Sequence, residues 1–209
     1  MIVFDVEADG LLDQATKIHC LSYTHDGKDY KTLFDYSDMR DLILSQRGLV
    51  GHNIVRYDVP LIEKILGINV TARLFDTLPM SWVLNYDRPK HGLESFGEDF
   101  GVPKPKIDDW QNLTREEYAH RCTEDVKINW LLWQDVLKRF MFIYKDKVKL
   151  DKFFRYLEFK MDCASMAERV GWKLDKDLAQ TCVNNLTQQK SDKEAELIQV
   201  MPIRKVTTK

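Results

Sequence analysis

A carboxylate pair at the end of an apolar run constrains this chain more than any other feature. Residues 2–10 read IVFDVEADG, so three apolar side chains lead straight into Asp5 and Glu7. Two residues apart on an extended strand, both acids project from the same face. Like charges held side by side repel, and folding gains from the arrangement only when a cation sits between them. The alternative for the pair taken alone is a solvated strand edge.

The rest of the chain supplies a sheet around that strand. After Ile2–Glu7, the segments Lys17–His25 and Asp29–Tyr36 read as two more strands. Between them Asp26-Gly27 provides the positive φ of a tight hairpin turn, so the three form an antiparallel meander. Asp38–Gln46 follows as a helix with Ser37 as N-cap, Gly48–Asn53 as a short apolar strand, and Asp58–Leu66 as a helix stopped by Gly67. Asn69–Thr77 is a further strand, leading into helices near Leu78–Leu84 and Gly92–Gly101. Pro103–Trp110 is a loop, and Thr114 with Glu117 forms a T-x-x-E capping box. In the helix it starts, Val126, Trp130, Trp133, Leu137 and Phe140 make a stripe suited to packing on a sheet. Strands in a meander followed by strands alternating with helices give a mixed α/β sheet, with the Asp5–Glu7 strand at its centre.

The last 60 residues differ. Phe159, Cys163, Met166 and Val170 recur at helical spacing before Gly171, and Asp175 caps a final helix that turns polar around Gln188–Glu196. The tail PIRKVTTK has no closing element, as expected of a segment continued in a longer chain or finished by a partner. The expected division is 1–145 and a helical extension, 146–209.

Composition narrows the function classes. A net charge of −2 argues against a broad basic face for polyanions, so nucleic acid must be met through a local groove or through metal ions. Cys20, Cys122, Cys163 and Cys182 are scattered without zinc spacing and read as reduced, partly buried side chains. No apolar run approaches the ~18 residues of a membrane span. A strand beginning at Ile2 leaves no room for a signal peptide, so the expected location is the cytoplasm (the host's, for a phage-encoded chain). The five tryptophans read mostly as core, and Trp110, set among Asp, Pro and Lys, as a candidate DNA contact.

Two further acids extend the cation argument. Asp58 opens a helix after the loop GHNIVRYDVP, and Asp125 lies in HRCTEDVKIN beside the apolar stripe. Alone, Asp58 reads as a cap and Asp125 as a solvated helix residue. Together with Asp5 and Glu7 they could converge on one sheet edge. An all-oxygen donor set suits Mg²⁺ or Mn²⁺. Two such ions about 3.5–4 Å apart stabilise the attacking and leaving oxygens of a phosphoryl displacement.

The ordered set resembles the motifs of the DEDD exonuclease superfamily. D-x-E matches Asp5 and Glu7, the N-x-x-x-[FY]-D motif matches Asn53, Tyr57 and Asp58, and the final aspartate matches Asp125. FDTLPMSWVL and HGLESFGEDFGVPK are similar to segments that lie between them, and the resemblance covers roughly residues 1–142. It implies an RNase H-like mixed five-stranded sheet flanked by helices, and metal-dependent 3′–5′ hydrolysis to nucleoside monophosphates. Two Mg²⁺ ions would be held by Asp5, Glu7, Asp58 and Asp125, with Mn²⁺ able to substitute. One branch of the family carries Tyr four residues before the last Asp, the other His five before it. Here those positions are Arg121 and His120, which assigns the histidine branch and makes His120 the general base. Five residues along an unbroken helix turn a side chain by about 140°, so this reading requires a break near Arg121–Thr123.

The chain also resembles the proofreading domains of phage and bacterial family A DNA polymerases, although those usually carry the tyrosine. The partners so implied are single-stranded DNA 3′ ends, contacted by Asn53, Arg56, Tyr57 and Trp110, with Lys104 and Lys106 as weaker candidates, and a polymerase domain or subunit. The competing readings are an exoribonuclease of the same superfamily and a non-catalytic module that binds DNA or a polymerase.

Overall fold

The computed structural model describes residues 1–105 and 113–201. Strand β1 (Ile2–Ala8) pairs antiparallel with β2 (Ile18–Thr24), and β2 with β3 (Tyr30–Leu33). Helix α1 (Tyr36–Ser45) crosses over to β4 (Gly48–Gly51), which lies parallel to β1. Helix α2 (Asp58–Leu66) then leads to β5 (Arg73–Asp76), parallel to β4. The order β3-β2-β1-β4-β5 puts the Asp5–Glu7 strand at the centre, as its apolar run requires.

The pleat of β1 separates the two larger hydrophobic cores of the described residues. Ile2, Phe4 and Val6 face one side, where they pack with Met39 and Ile43 of α1 and Leu61 and Ile62 of α2. Val3 faces the other, with Val50, Met80, Phe96, Val126 and Trp133. That second layer consists of α3 (Thr77–Leu84), α4 (Leu93–Phe100), α5 (Arg115–Tyr144) and the first part of α6 (Lys147–Val170). The period of two therefore assigns Asp5 and Glu7 to the face that α5 covers.

Local chemistry sets the ends of these elements. The T-x-x-E box is formed, with Thr114 Oγ1 accepting from the Glu117 amide at 3.2 Å and Glu117 accepting from the Thr114 amide at 2.7 Å. Helix α1 starts earlier than expected because Asp35, not Ser37, is its cap: its carboxylate accepts from the Ser37 amide at 2.7 Å, and β3 stops at Leu33. Strand β5 is likewise shorter than the apolar pattern suggested, since Asp76 caps α3 and accepts from the Leu78 amide.

The stripe on α5 is buried at Val126, Trp133 and Phe140 and half-buried at Trp130 and Leu137. The Trp130 ring closes over the hairpin turn, where Gly27 sits at φ +71° and an added Cβ would fall 2.0 Å from the indole nitrogen. Gly27→Ala should therefore destabilise the protein by about 1–3 kcal/mol, read as a lowered denaturant midpoint at unchanged slope. A midpoint equal to wild type would show that the turn is not held against Trp130.

Other expectations for the core need correction. Trp82 is 41% and Trp172 94% exposed, so burial of the tryptophans is confined, among the described residues, to Trp130 and Trp133. Cys20 and Cys122 are buried, but Cys163 and Cys182 are exposed. On α6 the buried positions are Leu150, Phe154, Leu157, Met161 and Ser165, which leaves Phe159 and Met166 exposed on the same helix. Two apolar stripes share α6, and only one meets the sheet layer.

The chain divides into two compact units, Met1–Glu168 and Arg169–Lys209. In the second, Gly171 takes a left-handed conformation and Asp175 caps α7 (Lys176–Val200), accepting from the Leu178 amide at 3.0 Å. Side-chain pairs one turn apart, such as Gln180–Asn184 and Gln188–Asp192, line that helix. Among the described residues, no helix is long and apolar enough to cross a membrane.

Candidate active site

Because α5 runs across the face that carries Asp5 and Glu7, its Asp125 meets them. Oxygens of Asp5, Glu7 and Asp125 lie within 4.8 Å of one another. Asp58, the first residue of α2, is buried at 4% exposure and adds its charge to the field at Asp5. The cap position of α2 is Tyr57, so Asp58 does not serve as the cap residue that its sequence position suggested.

This concentration of acid is costly without a counter-ion. Burial, then Asp125, Asp58 and Glu7, holds the Asp5 carboxyl well above the usual carboxylate range. Burial pushes Glu7 up to about 7, against the pull of Arg121. Burial and then Asp76 push Asp58 up to about 8. Asp125 is raised too, burial outweighing the nearby Lys104. Asp125 Oδ1 is buried with no hydrogen-bond partner. An orphaned carboxylate oxygen in an all-oxygen set fits a hard divalent cation.

The loop between β4 and α2 is pinned to this edge. Asp76 accepts from the amides of Asn53 at 2.8 Å and Val55 at 3.2 Å, which holds Asn53 at φ +67°. Burial raises Asp76 to about 6 despite those amides. Tyr57 donates through its hydroxyl to the Gly10 carbonyl at 2.6 Å, tying the loop to the end of β1. Thr77 donates to Asn129 of α5 at 2.7 Å and meets His52 Nδ1 at 2.9 Å. Asp76 is a structural centre of the site that sequence reasoning missed as a residue, although the FDT segment contains it. Of the expected substrate contacts, Asn53 and Tyr57 lie in this loop. Arg56 pairs with Glu168 of α6 at 2.6 Å. Trp110 and Lys106 fall outside the described residues.

The base assignment requires correction at its premise. Helix α5 is continuous through residues 121–123, where a break was expected. Hydrogen bonding of the regular helix is stronger than any break signal in RCTED, and Cys122 is fully buried there, its thiol donating to the Asp5 carbonyl at 3.2 Å. His120 consequently points outward, its side chain 64% exposed and Nδ1 3.9 Å from Glu124. The residue one turn before Asp125 is Arg121, whose Nε lies 3.2 Å from Glu7 Oε1. His120→Ala is expected to leave the turnover of any metal-dependent hydrolysis within about twofold, far from the 10²–10⁴-fold typical of losing a general base. A loss beyond tenfold would restore His120 to the site.

Two cations thus border the acids: Arg121, and Lys104, whose Nζ is 2.5 Å from Asp125 Oδ2. Neither pairing was foreseen, because each depends on a contact between distant segments.

No family model matches the sequence. The chain is 26% identical over 150 residues to the DNA-directed DNA polymerase of Escherichia phage T7, a match taking in 56% of the chain and 21% of that polymerase. It therefore spans about a fifth of the length of this curated relative. Among solved structures it is similar to Brucella melitensis NrnC with bound Mg²⁺, at TM-score 0.60 and 15% identity over 82% of this chain and 88% of that one. The same protein bound to pGG gives TM-score 0.60 and 16% identity over 79% and 84%. Escherichia coli RNase D, an exoribonuclease involved in structured RNA processing, gives 0.54 and 16% over 77% and 44%. The likeness is one of fold, and it agrees with the mixed five-stranded sheet expected from the motifs.

Proposed function

From the premise that this chain has the RNase H-like fold of the DEDD 3′–5′ exonucleases, we propose that it is a metal-dependent 3′–5′ exonuclease acting on single-stranded DNA ends. One observation carries the reading: Asp5, Glu7 and Asp125, from two distant elements, bring oxygens within 4.8 Å at a buried edge that also holds Asp58. Such a cluster is unfavourable by itself and becomes favourable around divalent cations.

In this reading Asp5, Glu7, Asp58 and Asp125 would hold two Mg²⁺ ions, with Mn²⁺ able to substitute. Bound there, the ions supply a water of lowered pKa and charge to balance the scissile phosphate. The Asp76-pinned loop keeps Asn53 and Tyr57 at the same edge, where a 3′-terminal nucleotide would be seated. Residues 1–145 carry all of these groups, and 146–209 are proposed as the extension toward a polymerase domain or subunit. The match to the DNA-directed DNA polymerase of phage T7 supports DNA as substrate, and proofreading for a polymerase is the role proposed. A second reading, short RNA as substrate, is favoured by the fold likeness to NrnC bound to pGG and to RNase D.

Matched DNA and RNA oligonucleotides, labelled at either end and incubated with Mg²⁺ or with EDTA, test both. Stepwise shortening of the 5′-labelled strand, with release of labelled monophosphate from the 3′ label and none in EDTA, is the expected result. Internal cleavage, or degradation that survives EDTA, would overturn it.

A further inference from the structure

Lys104 and Arg121 reach the carboxylate cluster from different elements, and each pairs with a residue assigned above to metal. Lys104 stands in the segment after α4, between Pro103 and Pro105, whose rings fix the backbone on either side of it. Its ammonium lies 2.5 Å from Asp125 and acts electrostatically on Asp5 and Glu7 as well. Arg121 lies on the Asp125 side of α5, Nε at 3.2 Å from Glu7, and its Nη1 donates to the Pro105 carbonyl at 3.0 Å. The guanidinium thus anchors the segment that carries the ammonium. Both side chains are largely buried, at 19% and 14% exposure, so neither is a solvated surface charge that happens to lie near acids.

We propose that Lys104 and Arg121 form an exchangeable phosphate clamp: they pair with Asp125 and Glu7 while the cluster lacks metal, and with phosphate oxygens once those carboxylates bind divalent cations. The inference rests on the exonuclease reading and names the residues that would bind the scissile group. Charge balance motivates it. Four carboxylates against two side-chain cations leave two negative charges, which a single divalent ion neutralises. A second ion leaves the site with two positive charges, the complement of the charge on a phosphoryl group under attack. Without the two side chains, two divalent ions would only neutralise the carboxylates, and the phosphate would meet no net attraction. Ammonium and guanidinium donors also match phosphate oxygens in geometry, the guanidinium as a fork.

The exchange predicts opposite changes in two affinities. In calorimetric titrations of the full chain, Lys104→Met and Arg121→Gln should each bind Mn²⁺ alone ~10-fold or more tightly than wild type, because a competing cation is gone. The same variants, saturated with Mn²⁺, should bind thymidine 5′-monophosphate ~10-fold or more weakly, through loss of a charge-assisted hydrogen bond. Lys104→Arg should return the nucleotide affinity toward wild type. A scaffolding role would weaken both ligands together, and that result overturns the clamp, as does an unchanged Mn²⁺ or nucleotide affinity. Should Arg121→Gln fail to fold, Lys104→Met on its half-buried loop decides the matter. A wild-type chain that binds no Mn²⁺ would end the exonuclease reading and the clamp together. One that binds Mn²⁺ and degrades oligonucleotides, with variants behaving like wild type, would end only the clamp.

Discussion

Asp5→Asn is expected to abolish Mg²⁺-dependent degradation of oligonucleotides, a loss of at least ~10³-fold, against the 10–100-fold that removal of an outer-shell partner of a metal usually costs. Asp5 lies on the central strand with Asp125, Asp58 and Glu7 all contributing to its field, so it is the one carboxyl placed to serve both proposed ions. The amide is nearly isosteric, and β1 keeps its backbone pairing with β2 through Asp5 and Ser22. Folding should therefore survive. At alkaline pH without metal the variant should melt higher than wild type, because one member of a repelling buried set has become neutral. The two readouts separate catalysis from scaffold: activity falls while metal-free stability rises. Activity within tenfold of wild type would remove Asp5 from the metal site, and a variant that unfolds would mean that the carboxylate bears structural weight instead.

What made the fold legible was period and punctuation. Alternation in IVFDVE defined β1 and its two faces, Asp26-Gly27 the hairpin, Gly67 the end of α2, and Thr114 with Glu117 the start of α5. These are local signals, and local geometry obeyed them. Errors arose where two local signals competed, as at Asp35 and Ser37, or where burial depended on a distant partner. On α6, Phe159 and Met166 share a helical spacing as good as that of Leu150, Phe154 and Leu157, and only the second set packs into the layer over the sheet.

The site divides in the same way. Asp5, Glu7 and Asp125 were readable through the resemblance of D-x-E and the final aspartate to the exonuclease motifs, and β1 alternation places the first two on the face that α5 covers. The counter-charges were not. Lys104 and Arg121 are ordinary residues in a chain with 31 Lys and Arg, and their meaning comes from contacts spanning more than twenty residues with Asp125 and more than a hundred with Glu7. His120 shows the converse. Its spacing from Asp125 matched a motif, but helix α5 runs unbroken and carries it to the exposed side. Asp76 went unremarked since a buried acid that caps a helix and holds a loop by two amides has no signature outside the folded state.

Divalent cations should stabilise this protein increasingly as the pH rises, and that dependence reads the cluster without reference to any substrate. Asp76, Glu7 and Asp58 have carboxyls raised to about 6, about 7 and about 8, chiefly by burial. Each holds its proton more tightly folded than unfolded, where carboxyls titrate near ~4. The stability they contribute is therefore whole below about pH 4 and is lost as the pH climbs through those folded values. In EDTA the melting temperature should fall by ~5 °C or more between about pH 5 and about pH 8.5, the equivalent of roughly 2 kcal/mol in a domain of this size. Cations bind the ionised carboxylates, so millimolar Mg²⁺ or Mn²⁺ should add little at the acid end and recover most of the loss at the alkaline end. Asp5→Asn, lacking a central ligand, should show both a shallower fall in EDTA and a smaller recovery. A metal effect of equal size at every pH would point to general surface screening, and no effect at pH 8.5 would mean that the four acids are balanced by Lys104 and Arg121 alone.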